Sequence, residues 1–233
     1  MTTLRQPLST NGLIMPLDFP VAQYEFVHKK IVAISKTSNS TYEHFAGAWN
    51  AVAYRFLALT EYEASFSKSL TTTNTDLTPS NRHRQERDLY GFFCNGFSIF
   101  EACFYSIFSL GAFLSAANFP IATAKDQQRI SPASTTAAMV KAFSSDPINK
   151  AIDLIISDAV YIEWREIRNI LTHRAAPGRT FFVGIGNDDV LPDQWKIKNI
   201  PLNEKMASAR RADLSKLLNV LMHAIEQFVQ SHF

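Results

Sequence analysis

Trp164-Arg-Glu-Ile-Arg-Asn-Ile-Leu-Thr-His-Arg174 carries two stripes at helical spacing. One is apolar: Val160 just upstream, then Trp164, Ile167 and Leu171, recurring every three or four residues. That is the pattern of a helix that buries one side. The other is polar: Arg165, Arg168, Asn169, Thr172 and His173 fall at i, i+3, i+4, i+7 and i+8 and share one broad face. A helix built this way is either a solvated surface helix or the wall of a site, and that choice decides both the fold and the function.

Upstream of this stretch, Ser144-Ser-Asp146-Pro147 reads as a helix start, with Asp146 as N-cap and Pro147 at the first helical position. The apolar residues that follow predict a helix from Pro147 which, if it runs without a break into the opening stretch, spans 147–175 and stops at Ala176-Pro177-Gly178. Downstream, 180–185 and 194–200 read as two strands turning at Asn187–Asp189, a hairpin inserted over 179–201. Pro201 ends it, and Asn203 caps a last helix over 204–231.

Nearer the N-terminus, residues 1–20 carry three prolines and read as irregular. A helix is expected from Val21 to about Ser35, and a long one over Thr41–Leu70. In the seam of the long helix one position is charged, Glu63. Either the wheel has drifted and Tyr62 takes the core slot, or the carboxylate faces a polar pocket. Thr71–Asn81 reads as a loop, and Arg82–Arg87 as the basic first turn of the next helix. Leu89–Ala117 is the most apolar segment, with Glu101 as its sole charge. Its length invites comparison with a membrane span. A central carboxylate and scattered Asn, Ser and Gly point instead to the central helix of a bundle. A stripe of Gly91, Cys94, Ser98, Glu101 and Tyr105 would let a neighbouring helix come close and would present Glu101 to it. Asn118–Pro132 reads as loop and Ala133–Phe143 as a short helix. The expected fold is all-α: a single domain over 1–233, an antiparallel bundle of four main helices plus shorter ones, with a small β-hairpin before the last helix.

The net charge of +2, from 23 Lys plus Arg against 21 Asp plus Glu, offers no global attraction to a polyanion. Cys94 and Cys103, nine residues apart on one predicted helix, stand roughly 13 Å apart at ~1.5 Å per residue. A disulfide needs less than about 7 Å, so two buried free thiols and a reducing, cytoplasmic compartment are expected. The first twenty residues lack a basic segment followed by an apolar one, so no secretory signal is expected. The six His are scattered, with no Cys-x-x-Cys, no His-Glu-x-x-His and no Gly-rich phosphate loop, so neither metal nor cofactor is expected.

Arg168-Asn169-x-x-x-His173 resembles the Arg-Asn-x-x-x-His motif of the HEPN superfamily (higher eukaryote and prokaryote nucleotide-binding domains), in which the motif lies late in an all-helical domain. The match specifies three of six residues. The resemblance implies a metal-independent endoribonuclease that works as a homodimer, with two copies of the motif lining one cleft. Its products would be a 2′,3′-cyclic phosphate and a 5′-hydroxyl. The residue types suit that chemistry. His173 can exchange protons near neutral pH, Arg168 offers a planar fork to phosphate oxygens, and Asn169 can orient the imidazole or bond a phosphate oxygen. Glu101 or Glu63 could hold Arg168, Thr172 supports the motif, and Arg165, Arg174 and Arg179 would add positive charge for an RNA backbone. In HEPN toxins paired with a nucleotidyltransferase antitoxin, a Tyr stands two residues after the His and is the modification target. Here that position is Ala175, so that form of control is not expected. Some members of the superfamily act as binding or dimerisation modules, which leaves an inactive nucleotide- or RNA-binding module, or an unrelated helical interaction protein, as the alternatives.

Overall fold

The structure, a computed structural model, describes residues 5–34, 40–72, 78–174, 176–180 and 194–233. Two long helices form its centre, α2 (Ser40–Thr72) and α3 (Pro79–Leu114). Each is about 50 Å long at ~1.5 Å per residue. Their pairing is antiparallel: Ser65 meets Asp88, Arg55 meets Ser98 and His44 meets Tyr105, so one number falls as the other rises. The predicted seam of α2 is buried from Phe45 through Trp49, Val52, Phe56 and Leu59 to Phe66. The most apolar stretch of α3 has a mean hydropathy of 1.6, enough by length and composition to cross a membrane, and 72 % of it is buried against the rest of this fold.

Around that pair stand α1 (Val21–Ile34), α4 (Ala124–Gln128), α5 (Pro132–Ala142), α6 (Ile148–Ser157), α7 (Ala159–His173) and α8 (Glu204–His232). The fold is all-α with a little β structure, as the sequence predicts. Helix α8 closes the bundle, packing on α1, α2 and α6 through Leu214, Leu218, Leu221, Ile225 and Phe228. Its N-cap is Asn203, whose Oδ1 accepts from the Met206 amide at 2.8 Å.

Several boundaries differ from expectation, each for a local reason. The helix expected over 147–175 is two helices. Asp158 lies between them in an extended conformation (φ −68°, ψ 136°), and its carboxylate accepts from the Val160 amide at 2.7 Å, starting α7 afresh. Asp146 does cap α6, accepting from the Ile148 amide at 2.9 Å. The segment read as loop over 118–132 contains α4, fixed by a reciprocal capping box between Thr123 and Asp126. Of the loop read over 71–81, residues 71–72 belong to α2 and 79–81 to α3, which Thr78 caps and Pro79 opens, while 73–77 lie outside the described residues. The N-terminal stretch is not irregular throughout: β1 (Arg5–Pro7) pairs antiparallel with β2 (Ile14–Pro16), Gln6 opposite Met15. Gly12, at φ +73°, turns the chain between them.

Before α8, β4 (Gln194–Ile197) pairs antiparallel with both β3 (Arg179–Thr180) and β5 (Ile200–Pro201). The second predicted strand is therefore broken at Lys198–Asn199, where Lys198 takes φ +54°, and Pro201 belongs to a strand rather than ending one. The expected turn at 187–189 and most of the first strand lie outside the described residues, as does Ala175.

Candidate functional site

Helix α7 is seated on α3 by aromatic rings. Trp164 lies 5.1 and 4.9 Å from the Phe92 and Phe93 rings, and Tyr161 lies 5.4 Å from both Phe97 and Phe100, centroid to centroid. The approach is close because α3 has a glycine there: a Cβ on Gly96 would stand only 2.3 Å from the Trp164 ring. The buried face is Tyr161, Trp164 and Ile167, with Val160 and Leu171 only half-buried. The predicted apolar stripe is thus rotated slightly toward Tyr161.

That seating carries Arg168, one turn after Trp164, onto the same ridge of α3. Its guanidinium lies 4.5 Å from the centroid of Phe97, and Nη2 donates to Glu101 Oε1 at 2.7 Å. Ser98 Oγ donates to the other carboxylate oxygen at 3.1 Å. The side chains of the pair are 21 % and 39 % exposed, so the pair is partly screened by water rather than sealed. Arg168 Nε is buried without a hydrogen-bond partner, which costs about 1–3 kcal/mol. Of the two acids considered for Arg168, Glu101 holds it. Glu63 instead accepts from Arg211 Nη1 at 2.8 Å, while Arg211 Nη2 donates to Asp18 at 2.7 Å. The carboxylate in the α2 seam therefore does face a polar pocket. Burial opposes the charge on Arg211, but its hydrogen bonds to Asp18 and Glu63 outweigh that and raise its pKa further.

The remaining motif residues spread along the outer side of α7. Asn169 is half-buried, and His173 stands exposed on the last turn. Among the described residues no hydrogen bond joins Asn169 to His173. Thr172 Oγ1 donates to the Arg168 carbonyl at 2.8 Å, a bond within the helix. Arg165 and Arg174 are exposed beside Glu166. The hydrogen bond from Lys198 holds that carboxyl below its usual range, with smaller help from the two arginines. Arg179 is elsewhere, stacked 4.1 Å from the Trp195 ring centroid and donating to Gln85 at 2.7 Å. It ties the short sheet to the bundle.

Of two further residues beside Arg168, Tyr161 stood outside the predicted stripes of α7, whereas Cys94 was expected as a buried thiol. Burial pushes the Tyr161 hydroxyl up to about 12, with Arg165 opposing, so it keeps its proton at neutral pH. Tyr161 sits at i−3 from Trp164, a helical spacing by which it could have been placed on the apolar face in place of Val160. Cys94 is half-buried rather than buried, and burial raises its thiol pKa, with the Tyr90 hydrogen bond opposing.

The chain matches no protein-family model, no curated protein and no solved structure. The functional reading therefore stands on these residues alone. Arg168 and His173, five residues apart, point about 140° from each other at ~100° per residue. A single α7 cannot bring both onto one phosphate. On its other side Glu101 lines an open cleft of about 510 Å³ between α2, α3 and the turn from α4 to α5. The sequence signal for that cleft was the run of small residues Ala46-Gly-Ala48 on α2, which periodicity alone treats as filler.

Proposed function

We propose that the chain is one half of a dimeric, metal-independent endoribonuclease of the HEPN type that cuts cytoplasmic RNA. The observation that carries this reading is the Arg168–Glu101 pair on Phe97. An acid from the core helix holds the motif arginine in one place, while the motif histidine stands exposed at the end of the same helix. In the reaction, the 2′-oxygen attacks the adjacent phosphorus and its proton passes to a base. The P–O5′ bond breaks, and the 5′-oxygen takes a proton from an acid. His173 is the group suited to move those protons, and Arg168 to neutralise the phosphorane oxygens. Because the two diverge on one helix, a second copy of α7 supplies the complementary group, which makes the dimer part of the mechanism. Arg165 and Arg174, both exposed on this helix or at its end, would add charge for the flanking phosphates.

The test is cleavage of a fluorogenic single-stranded RNA by the purified chain in EDTA, with molar mass measured by light scattering. The expected result is a dimer that cuts, leaving a 2′,3′-cyclic phosphate, and loses at least ~100-fold in rate in His173→Ala at unchanged melting temperature. A wild type that cuts no RNA, or a variant that cuts equally well, would overturn the reading. The same ion pair favours a second reading. With Arg168 already bonded to Glu101 and stacked on Phe97, its role would be to anchor α7 on α3 in a helical binding or dimerisation module, and no cleavage would then be seen.

A further inference from the structure

The cleft beside Glu101 has an internal chemistry of its own. Its floor on α2 is Gly47, Ala48 and Ala51, at i, i+1 and i+4, and a Cβ at Gly47 would meet nothing within 4 Å. Four residues beyond Ala51, Arg55 enters the cleft half-buried. Its Nη1 donates to the Ser98 carbonyl at 2.7 Å, and among the described residues no carboxylate lies within ion-pair distance of it. A guanidinium has five N–H donors, so most of this fork is unspent.

Hydrogen bonding on the opposite wall fixes where a second donor points. Gln127 Nε2 donates to the Ile121 carbonyl at 3.1 Å, which orients the amide, and lies 3.2 Å from His44 Nε2. An amide nitrogen only donates, so His44 Nε2 accepts and the ring proton sits on Nδ1. Nδ1 is 3.1 Å from Tyr105 Oη. Tyr105 therefore accepts from the imidazole, and its own O–H is left to point into the cleft it lines. Of the two acids at this cleft, Glu101 is already paired with Arg168, and Glu43 is exposed at the rim. Ile130 and Pro132 complete an apolar wall.

We propose that this cleft binds a small organic anion, with its acidic group on the Arg55 guanidinium, an acceptor atom on the Tyr105 hydroxyl, and its apolar body against Gly47, Ala48 and Pro132. A volume of about 510 Å³ suits a ligand of one or two rings. The proposal does not depend on RNA cleavage. If the cleft is filled, Glu101 becomes the wall shared between this ligand and Arg168.

The test uses two probes of one chemistry, benzoate and phenyl phosphate, with benzamidine as the cationic control, followed by protein NMR and calorimetry on the full chain. Saturable binding of benzoate or phenyl phosphate is expected, and whichever binds more tightly tells carboxylate from phosphate. Arg55→Gln should weaken it at least tenfold, Gly47→Leu should abolish it by filling the floor, and Gly47→Ala should keep it. Neither anion binding the wild type, benzamidine binding in their place, or binding unchanged in both Arg55→Gln and Gly47→Leu would overturn the proposal.

Discussion

Arg168 makes two contacts at once, an ion pair with Glu101 and a stack on Phe97, and substitution separates them. Glu101→Gln keeps an acceptor but removes the charge. For a partly exposed pair this should cost about 0.5–1 kcal/mol. Arg168→Gln removes the stack as well, adding roughly 0.5–1 kcal/mol. In a double-mutant cycle read by urea midpoints, a coupling of about 0.5–1 kcal/mol is expected. A coupling near zero would mean that the pair does not hold Arg168. Glu101 was legible as one of two acids that could meet Arg168, because it is the lone charge on an apolar ridge and a charge there needs an answering one. Glu63 was not, since its partner Arg211 is 148 residues away in sequence. Periodicity shows that a carboxylate interrupts a seam, and says nothing about what arrives from α8 to meet it.

At the scale of elements, three helical glycines differ only in what faces them. Gly47 faces open space, Gly91 has the Tyr62 ring 2.5 Å from where its Cβ would be, and Gly96 faces Trp164. Glycine costs a helix about 1 kcal/mol relative to alanine. Gly47→Ala should therefore stabilise by up to that amount, whereas Gly96→Ala should destabilise by about 1–3 kcal/mol net as α7 is pushed off α3. Thermal melts of the two variants should move in opposite directions, and Gly96→Ala combined with Trp164→Leu should cost less than the sum of the single changes. Equal shifts would show that the contact between α3 and α7 is not limiting. The long helices were readable because α2 and α3 repeat one face over many turns. The break at Asp158 was not, because apolar spacing runs through it unchanged. The only local sign was an aspartate that can cap, three residues after Ile155, the last fully buried position of α6. Short strands such as β1 and β2 carry too few residues for alternation to register.

For the molecule as a whole, helical spacing located a polar face on α7 but could not say that Arg168 would turn inward to α3 while His173 stayed outside. That division follows from how Trp164 and Tyr161 lock into the aromatic ridge, a tertiary fact. The same ridge and the helix that carries it set the response of the fold to alkali. Burial pushes both the Cys103 thiol, fully buried on α3, and the Tyr161 hydroxyl up to about 12, from ordinary values of 9.0 and 10.0, and it raises Tyr24 as well. Above pH ~9 the unfolded chain releases protons that the folded chain retains, so folded groups bind more protons and stability falls as pH rises. Below the unfolded values both states are protonated, and their contribution is constant. The urea midpoint should therefore be flat with respect to these groups at pH 7–8 and drop between pH 9 and 12. Cys103 should account for about 2 kcal/mol of that loss by pH ~10.5, at 1.36 kcal/mol per pKa unit. Cys103→Ala is expected to be less stable at pH 7, because it leaves a small cavity, but to lose less on going to pH 10.5. If wild type and variant decline in parallel, the buried thiol is not what makes this core sensitive to base.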